Sequence, residues 1–552
     1  MSTTELPRLG SATGRWIVLA TVLGSSVAAL DATVVNIALP RIGASLHTGV
    51  SGLQWTLSGY TLTLASFILL GGALGDRLGR RRMFVWGTVA FAAASVLCGA
   101  AVNIQMLVLA RVVQGVAGAL LTPGSLALIS ASIDERDQGA AIGLWSGFGG
   151  IAGALGPFLG GWLIEVAGWR SIFLINLPLA AVVVAVSMRH VPESRDPDAS
   201  DRLDVPGALV VAAGLGALTF GLIQAMPWLS VAGLVLLGVF VLIELRSDHP
   251  LVPPALFTGA AVAPDPARAR DPRSGRAFTA ANLVTLAVYA ALGGVFFLLV
   301  LQLQQVAGYS PLFSGVATLP ITVLMLMLSA RAGRWAQQHG PRLPMTAGPL
   351  LAALGVLLLL RIGPDSATAA GYLRDVLPGV VVFGLGLSAL VAPLTGAVLG
   401  AVPAGEAGIA SGVNNAVART AQLLAVAALP GLAGISGSIG DVSAIDHGFT
   451  VAMWICAGLL VAGAVLAGVL LGAPRRARPE APATVDCLPQ CGVTGPAVQP
   501  RRPERAAGGG GGGEPPPRRR GGGGVMWGGA APGGGGGGQF TAPAGPAGPG
   551  ST

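Results

Sequence analysis

The sequence predicts an all-α integral membrane protein, and three observations carry that prediction. The chain has 552 residues, 53% of them hydrophobic and only 11% charged, with a mean hydropathy of +0.71. An ordinary soluble domain carries roughly 25% charged residues. The apolar residues gather into runs long enough to cross a bilayer, which takes about 20 residues of helix. The basic residues, all arginine, lie between those runs and in the C-terminal tail. In hydrocarbon the backbone must satisfy its own hydrogen bonds, so each run reads as a helix.

The first run, 16–39, follows Arg15 and carries Asp31 and Asn36 on to Pro40. It is too long for a signal peptide and is expected to stay as a first span. Runs at 52–75, 83–102, 104–130, 138–163 and 170–189 complete a first group of six. Two more, 205–224 and 229–245, stand between a polar linker and a Pro-, Arg- and Asp-rich loop. A second six follows at 278–303, 312–330, 343–361, 372–400, 408–434 and 448–472. The expected domains are therefore a tail at 1–14, a six-helix bundle at 15–190 and a linker at 191–204. An extra helix pair at 205–246, a loop at 247–277 and a second bundle at 278–472 come next. The remainder, 473–552, is rich in Gly, Pro and Arg and cannot bury a core. Its Arg518–Arg520 cluster is expected to be solvated, with anionic lipid headgroups as the alternative.

Arginine alternates from loop to loop. One side carries Arg8, Arg15, Arg77, Arg80, Arg81, Arg82, Arg136, Arg189, Arg195, Arg202 and Arg246. It continues with Arg268, Arg270, Arg273, Arg276, Arg331, Arg334, Arg342, Arg475, Arg476 and Arg478. The other side has only Arg41, Arg170, Arg361 and Arg374. The rich side is expected to be cytoplasmic, with both termini inside and an even number of spans. The same distribution explains the formal charge of +8 without invoking nucleic acid, because the arginines form no stripe with aromatics. Cys98 and Cys456 sit inside apolar runs as small packing residues, and Cys487 and Cys491 lack the partners a zinc site requires. The 6+2+6 layout implies duplication. Gly72-ALG-Asp76-RL-Gly79-R-Arg81 finds a faint echo in Gly333-RWA-Gln337-QH-Gly340-P-Arg342, in the corresponding loop of the second six.

One residue in the first run demands a function. A charged group at the centre of a membrane helix costs roughly 2.5–3.5 kcal/mol on insertion scales, and Asp31 is such a group. It lies nine residues before Pro40, so ~13 Å along the helix at about 1.5 Å per residue. Arg111 lies seven residues after Ile104, ~10 Å down an oppositely directed helix by the same rise. The two charges are thus expected at similar depth. Gln114 follows Arg111 by about one turn on the same face.

In order along the chain, these features resemble the major facilitator superfamily, and within it the fourteen-spanning drug:proton antiporters. LDATVVNIALP (30–40) resembles their first-helix signature and GALGDRLGRRR (72–82) their loop between the second and third helices. LVLARVVQGVAGA (107–119) is similar to their fourth-helix arginine motif, and WRSIFLINLP (169–178) to their sixth helix. GLWSGFGGIAGALGPFLGG (143–161) resembles the fifth-helix antiporter motif, with Ala152 where that motif has its central glycine. AGIASGVNNAVARTA (407–421) supports the second half.

The resemblance implies the major facilitator fold, two six-helix bundles plus two central extra helices, and places the first and fourth helices side by side. Asp31 and Arg111 would then form a proton-coupling pair: ionised when paired, protonated when separated. A static pair that holds two helices in register is the alternative. Gly72, Asp76, Arg77, Gly79, Arg80 and Arg136 would form a cytoplasmic gate, closed in the outward-open state. Gly72 and Gly79 would allow close approach, and Asp76 would pair with Arg77 or Arg136. Gly143, Gly153, Gly156, Pro157 and Gly160 would bend and pack the antiporter helix. Gln114, Tyr289, Asn415 and Arg419 are candidate substrate-cavity residues, with Tyr60, Trp145 and Phe148 as further aromatics. Arg419 either bonds carbonyls and orients packing, or leaves two arginines against one aspartate in the cavity. The second arrangement would disfavour dications and favour neutral, anionic or monocationic substrates.

The expected activity is export of small amphipathic drugs or metabolites in exchange for protons, by a non-enzymatic multi-pass protein of a bacterial cell membrane. The chain has no G-x4-G-K-[ST] loop, so the proton gradient is the drive and no cofactor or metal is implied. Its partners would be a small-molecule substrate, protons and the lipid bilayer, with a monomer as the default. A symporting importer and a non-transporting sensor on the same fold are the alternatives.

Overall fold

The computed structural model describes residues 6–196, 204–247, 250–258, 272–403, 406–435 and 441–471. The expectations for the tail at 473–552, for Cys487 and Cys491, and for the middle of the 247–277 loop lie outside these residues. Among the described residues all regular structure is helical.

The first group runs α1 (Ala12–Ser45), α2 (Val50–Leu78), α3 (Arg80–Gly99), α4 (Ile104–Ser132), α5 (Glu135–Ala167), α6 (Ser171–Leu174) and α7 (Asn176–His190). Then come α8 (Val205–Ile223), α9 (Pro227–Arg246) and a single turn, α10 (Ala255–Thr258). The last group is α11 (Pro272–Leu301), α12 (Pro311–His339), α13 (Arg342–Leu358), α14 (Ala369–Gly371), α15 (Leu377–Gly400), α16 (Ala407–Leu432) and α17 (Val442–Leu470). A π-helical turn, Gln302–Val306, continues α11, and another, Tyr372–Val376, joins α14 to α15.

Side chains cap several of the helix starts. Ser11, Asn103, Asp134, Asp204, Ser310 and Asp441 each accept from a backbone N–H of the following turn, which satisfies donors the helix itself leaves free. Several helices extend beyond the runs read from the sequence, α12 to His339 among them. Pro40 lies inside α1, which continues to Ser45, because a proline near a helix end removes one bond without stopping the chain. α11 begins at Pro272 rather than 278, since the polar stretch before the apolar run is helical as well. The sixth run breaks at Ile175: Pro178 has no N–H to give to the Leu174 carbonyl, so α6 ends and α7 begins there.

Among the described residues, twelve helices are long and apolar enough to cross a membrane. The predicted spans 138–163 and 408–434 correspond to α5 and α16, which are not among the twelve. α16 carries Asn414, Asn415, Arg419 and Gln422 along its length.

Helices α1–α7 pack on one another and so do α11–α17, giving two bundles. They meet mainly where α2 lies on α16 and α5 on α12. α8 packs against both α2 and α16, so the extra pair flanks that seam, with α9 attached through α8. The loop echo is visible in the backbone. Gly79 between α2 and α3 has φ +119°, and Gly340 between α12 and α13 has φ +94°, a region that favours glycine.

Candidate functional site

α1, α3, α4 and α7 converge on Asp31, which is 1% exposed. Arg111 Nη1 donates to Asp31 Oδ2 at 2.5 Å. Gln114 Nε2 and Asn176 Nδ2 donate to Asp31 Oδ1 at 2.9 Å and 3.1 Å. The same two amides also donate to Ser95 Oγ on α3. Arg111 further donates through Nη1 to Gln114 Oε1 and through Nε to the Thr56 carbonyl of α2. Every partner of the Asp31 carboxylate is a donor, and an ionised carboxylate only accepts. The arrangement therefore fits the ionised acid beside its guanidinium. A protonated Asp31 would present an O–H to groups that are themselves donating.

The sequence expectation that Asp31 and Arg111 share a depth agrees with this contact. Gln114 bonds both Asp31 and Arg111, as its place one turn from Arg111 allows; it is fully buried and is not among the residues that line the cavity between the bundles. Asn176 and Ser95 were missed. Asn176 left a readable signal, an amide inside an apolar run two residues before Pro178, and the helix break sets it at the start of α7. Cys98, buried as expected, touches the network through its thiol, 3.6 Å from Gln114 Oε1.

A cavity of about 780 Å³ lies between the bundles, lined from α1, α2 and α5 on one side and from α11, α12, α15 and α16 on the other. Asp31 and Arg111 are not on its wall, but their neighbours are. Ala32 and Thr33 of α1 line it, and so does Tyr60, whose ring lies 4.3 Å from the Arg111 guanidinium carbon. One layer of side chains thus separates the ion pair from the cavity. This corrects the expectation of two arginines and one aspartate inside it: of the described lining residues, Arg419 alone is charged. Arg419 does not spend its donors on carbonyls. Among the described residues its one hydrogen bond is Nη1 to Gln422 Oε1 at 3.4 Å.

Tyr289 and Asn415 do not line the cavity. Tyr289 packs against the core of the second bundle, and the polar contacts of α16 at this level belong to Asn414, which donates to Asn282 and Thr285 of α11. Trp145 bonds Ser25, and Phe148 is half exposed away from the cavity. The aromatics that do line it are Tyr60, Phe296 and Phe297. Nothing in the apolar run 278–303 distinguishes the last two from packing residues.

Bonds between the bundles gather at the end where α1 finishes, the arginine-poor end. Asn36 Nδ2 donates to the Phe296 carbonyl and Gln304 Nε2 to the Ile37 carbonyl. The Leu312 N–H donates to Glu165 Oε1. Gln54 Nε2 donates to the Val426 and Ala427 carbonyls at 2.8 Å and 3.0 Å. Val426 needs such a donor, because Pro430 four residues on has no N–H to give it. The cavity lining continues to Gly143, Ala330 and Gly396 toward the arginine-rich end. Among the described residues the bundles are therefore latched by hydrogen bonds at the arginine-poor end, while toward the other end they touch through apolar packing, Leu69 of α2 against Gly412 of α16.

At the arginine-rich end, Asp76 pairs with Arg80 at 2.7 Å rather than with Arg77 or Arg136, which are both exposed. The segment after α7 binds the same turn: the Arg80 N–H donates to the Ser194 carbonyl, the Asp196 N–H to the Asp76 carbonyl, and Arg81 pairs with Glu193. All these contacts stay within the first bundle and its linker. Gly79 takes φ +119° at this turn, and a Cβ there would meet the flexible end of Glu193. At Gly72 a Cβ would meet Pro123 at an ordinary 3.6 Å; the tight approach is at Gly71, where a Cβ would overlap the Ala119 carbonyl. On α5, Gly156 and Gly160 pack tightly on Thr33 and Val34 of α1, whereas Gly143 and Gly153 have open space and line the cavity together with Pro157.

Comparison with known proteins follows the same lines. The model of the Major Facilitator Superfamily matches residues 21–426. "Multidrug resistance protein Stp" of Mycobacterium tuberculosis is 35% identical over 408 residues, 72% of each chain. "Puromycin resistance protein pur8" of Streptomyces alboniger is 34% identical over 487 residues, 84% of this chain and 93% of that one. Among solved structures, a D-xylose-proton symporter superposes with a TM-score of 0.58 at 15% identity, covering 83% of this chain and 98% of that one. This last likeness concerns the fold.

Proposed function

Because this chain belongs to the Major Facilitator Superfamily, we propose that it is a proton-coupled antiporter that exports small amphipathic drugs or metabolites from the cytoplasm. The names of its relatives, resistance and export proteins for puromycin and tetracenomycin C among them, support export over uptake. So does the fit of α5 to the antiporter motif.

The observation that carries the coupling is the Asp31 carboxylate, with three donors converging on it one layer behind the cavity wall. Removing two ions from water costs several kcal/mol each, and an apolar pair of similar volume would often be as stable. Retaining the ions therefore points to use of the charge. In the cycle we propose, the arginine-rich end faces the cytoplasm and all fourteen long helical segments span the membrane. The present state, latched at the opposite end, admits substrate from inside with Asp31 ionised. Protonation of Asp31 from outside turns an acceptor into a donor among donors and frees Arg111. Tyr60, touching Arg111 on one side and the cavity on the other, transmits the change. The Asp76–Arg80 turn, confined here to one bundle, would engage the second bundle when that end closes.

The test uses the full chain in everted proteoliposomes with an acid interior, offered puromycin, tetracenomycin C and actinorhodin in turn. At least one should accumulate while internal pH rises, and Asp31→Asn should abolish the accumulation driven by the gradient. Proton-driven accumulation that survives in Asp31→Asn would overturn the assignment. Flux of drug in the same direction as protons would establish the importer instead.

A further inference from the structure

The cavity contains a charge imbalance that the ion pair does not correct. Asp31 and Arg111 neutralise each other behind the wall, and the described lining residues include no carboxylate. Arg419 is left as the lone charge facing that space. Among the described residues its hydrogen bonds amount to one, 3.4 Å long, to Gln422, so most of its five N–H donors have no acceptor there.

Its position is held firmly. Arg419 lies twelve residues into α16, ~18 Å from the helix start at about 1.5 Å per residue, well inside the membrane. α11 and α16 touch one turn further along, where a Cβ on Gly293 would lie 2.9 Å from the Gln422 Cα. Much of the rest of the wall is apolar or aromatic, including Phe296, Phe297, Met325 and Leu326.

From this geometry we infer that the site selects amphipathic organic anions, binding a carboxylate, sulfonate or acidic enolate on Arg419 and the apolar body along the aromatic wall. This rests on the reading of the cavity as the substrate site and narrows it to one charge class. A guanidinium fixed in a site of low dielectric gains more from an oxyanion than it would in water, and its planar fork suits a two-oxygen group. A cation in the same space meets repulsion with no carboxylate on the wall to offset it.

The experiment measures equilibrium binding to purified full-length protein in lipid nanodiscs, at one pH and with no gradient, against empty nanodiscs. The probes are 1-anilinonaphthalene-8-sulfonate and N-phenyl-1-naphthylamine, which share a ring system and differ by the sulfonate; tetraphenylphosphonium is the cationic competitor. The anion should bind about tenfold or more tighter than the neutral probe, as a charge-assisted contact implies. Arg419→Gln should weaken the anion about 10- to 100-fold and leave the neutral probe within about twofold. Arg419→Lys should fall between. Equal anion binding in wild type and Arg419→Gln, or displacement of the anion by tetraphenylphosphonium at comparable concentration, would overturn the inference. If Arg419→Gln does not fold, Arg419→Lys and the three-probe ranking on wild type decide it in the same way. Because no gradient is present, a failure here leaves the Asp31 assignment standing, and a failure of Asp31→Asn leaves this result standing.

Discussion

Gln54 is one of the side chains that hold the two bundles together. Its Nε2 crosses from α2 to α16 and donates to the Val426 and Ala427 carbonyls, and the residue is 4% exposed. Pro430 deprives Val426 of its helical donor, so Gln54→Ala leaves that carbonyl buried and unsatisfied in the present state. Once the bundles part at this end, water can reach it. The penalty of an orphaned buried acceptor is about 1–3 kcal/mol, and it falls on the latched state alone. Taking ~2 kcal/mol, the ratio of the opened to the latched state should rise about 30-fold. The assay replaces Cys98, Cys456, Cys487 and Cys491 and introduces Thr61→Cys on the cavity wall. A membrane-impermeant maleimide is then applied from the arginine-poor side. The labelling rate should rise by that factor in Gln54→Ala, up to saturation. A change of less than about twofold in folded protein would refute the latch, and with it the state assigned to this structure.

Two other perturbations follow from close contacts. Tyr60→Leu should uncouple substrate flux from proton flux, because it removes a ring 4.3 Å from the Arg111 guanidinium worth up to about 2 kcal/mol when desolvated. Tyr60→Phe should preserve coupling, and drug-to-proton stoichiometry in proteoliposomes distinguishes them. Gly156→Val should lower thermal stability by about 1–3 kcal/mol, since its Cβ would overlap Thr33, whereas Gly153→Ala has open space and should be near neutral. Thermal unfolding of the two variants checks the contrast.

The helical elements were legible because lipid imposes a coarse rule, and a run of about 20 apolar residues obeys it whatever its neighbours do. Asp31 and Arg111 were legible for the opposite reason: a charge in such a run is so unfavourable that its presence marks a role. The partners of Asp76 were harder to read. Arg77, Arg80 and Arg136 are equivalent by type, and only the turn at Gly79 brings Arg80 rather than the others to the carboxylate. Gly71 and Gly72 are likewise identical in sequence, yet α4 closes tightly on Gly71 and makes only an ordinary contact at Gly72.

What the chain determined by itself, then, is the solvent it lives in, the helices that solvent requires and the few charges it can hardly tolerate. The tertiary structure decided which of those charges meet and which stand alone. Whether a side chain faces a cavity, a partner or a wall depends on the rotation of each helix against its neighbours. That rotation is set by packing between residues hundreds of positions apart, such as Gln54 and Val426, and a local pattern of residues does not encode it.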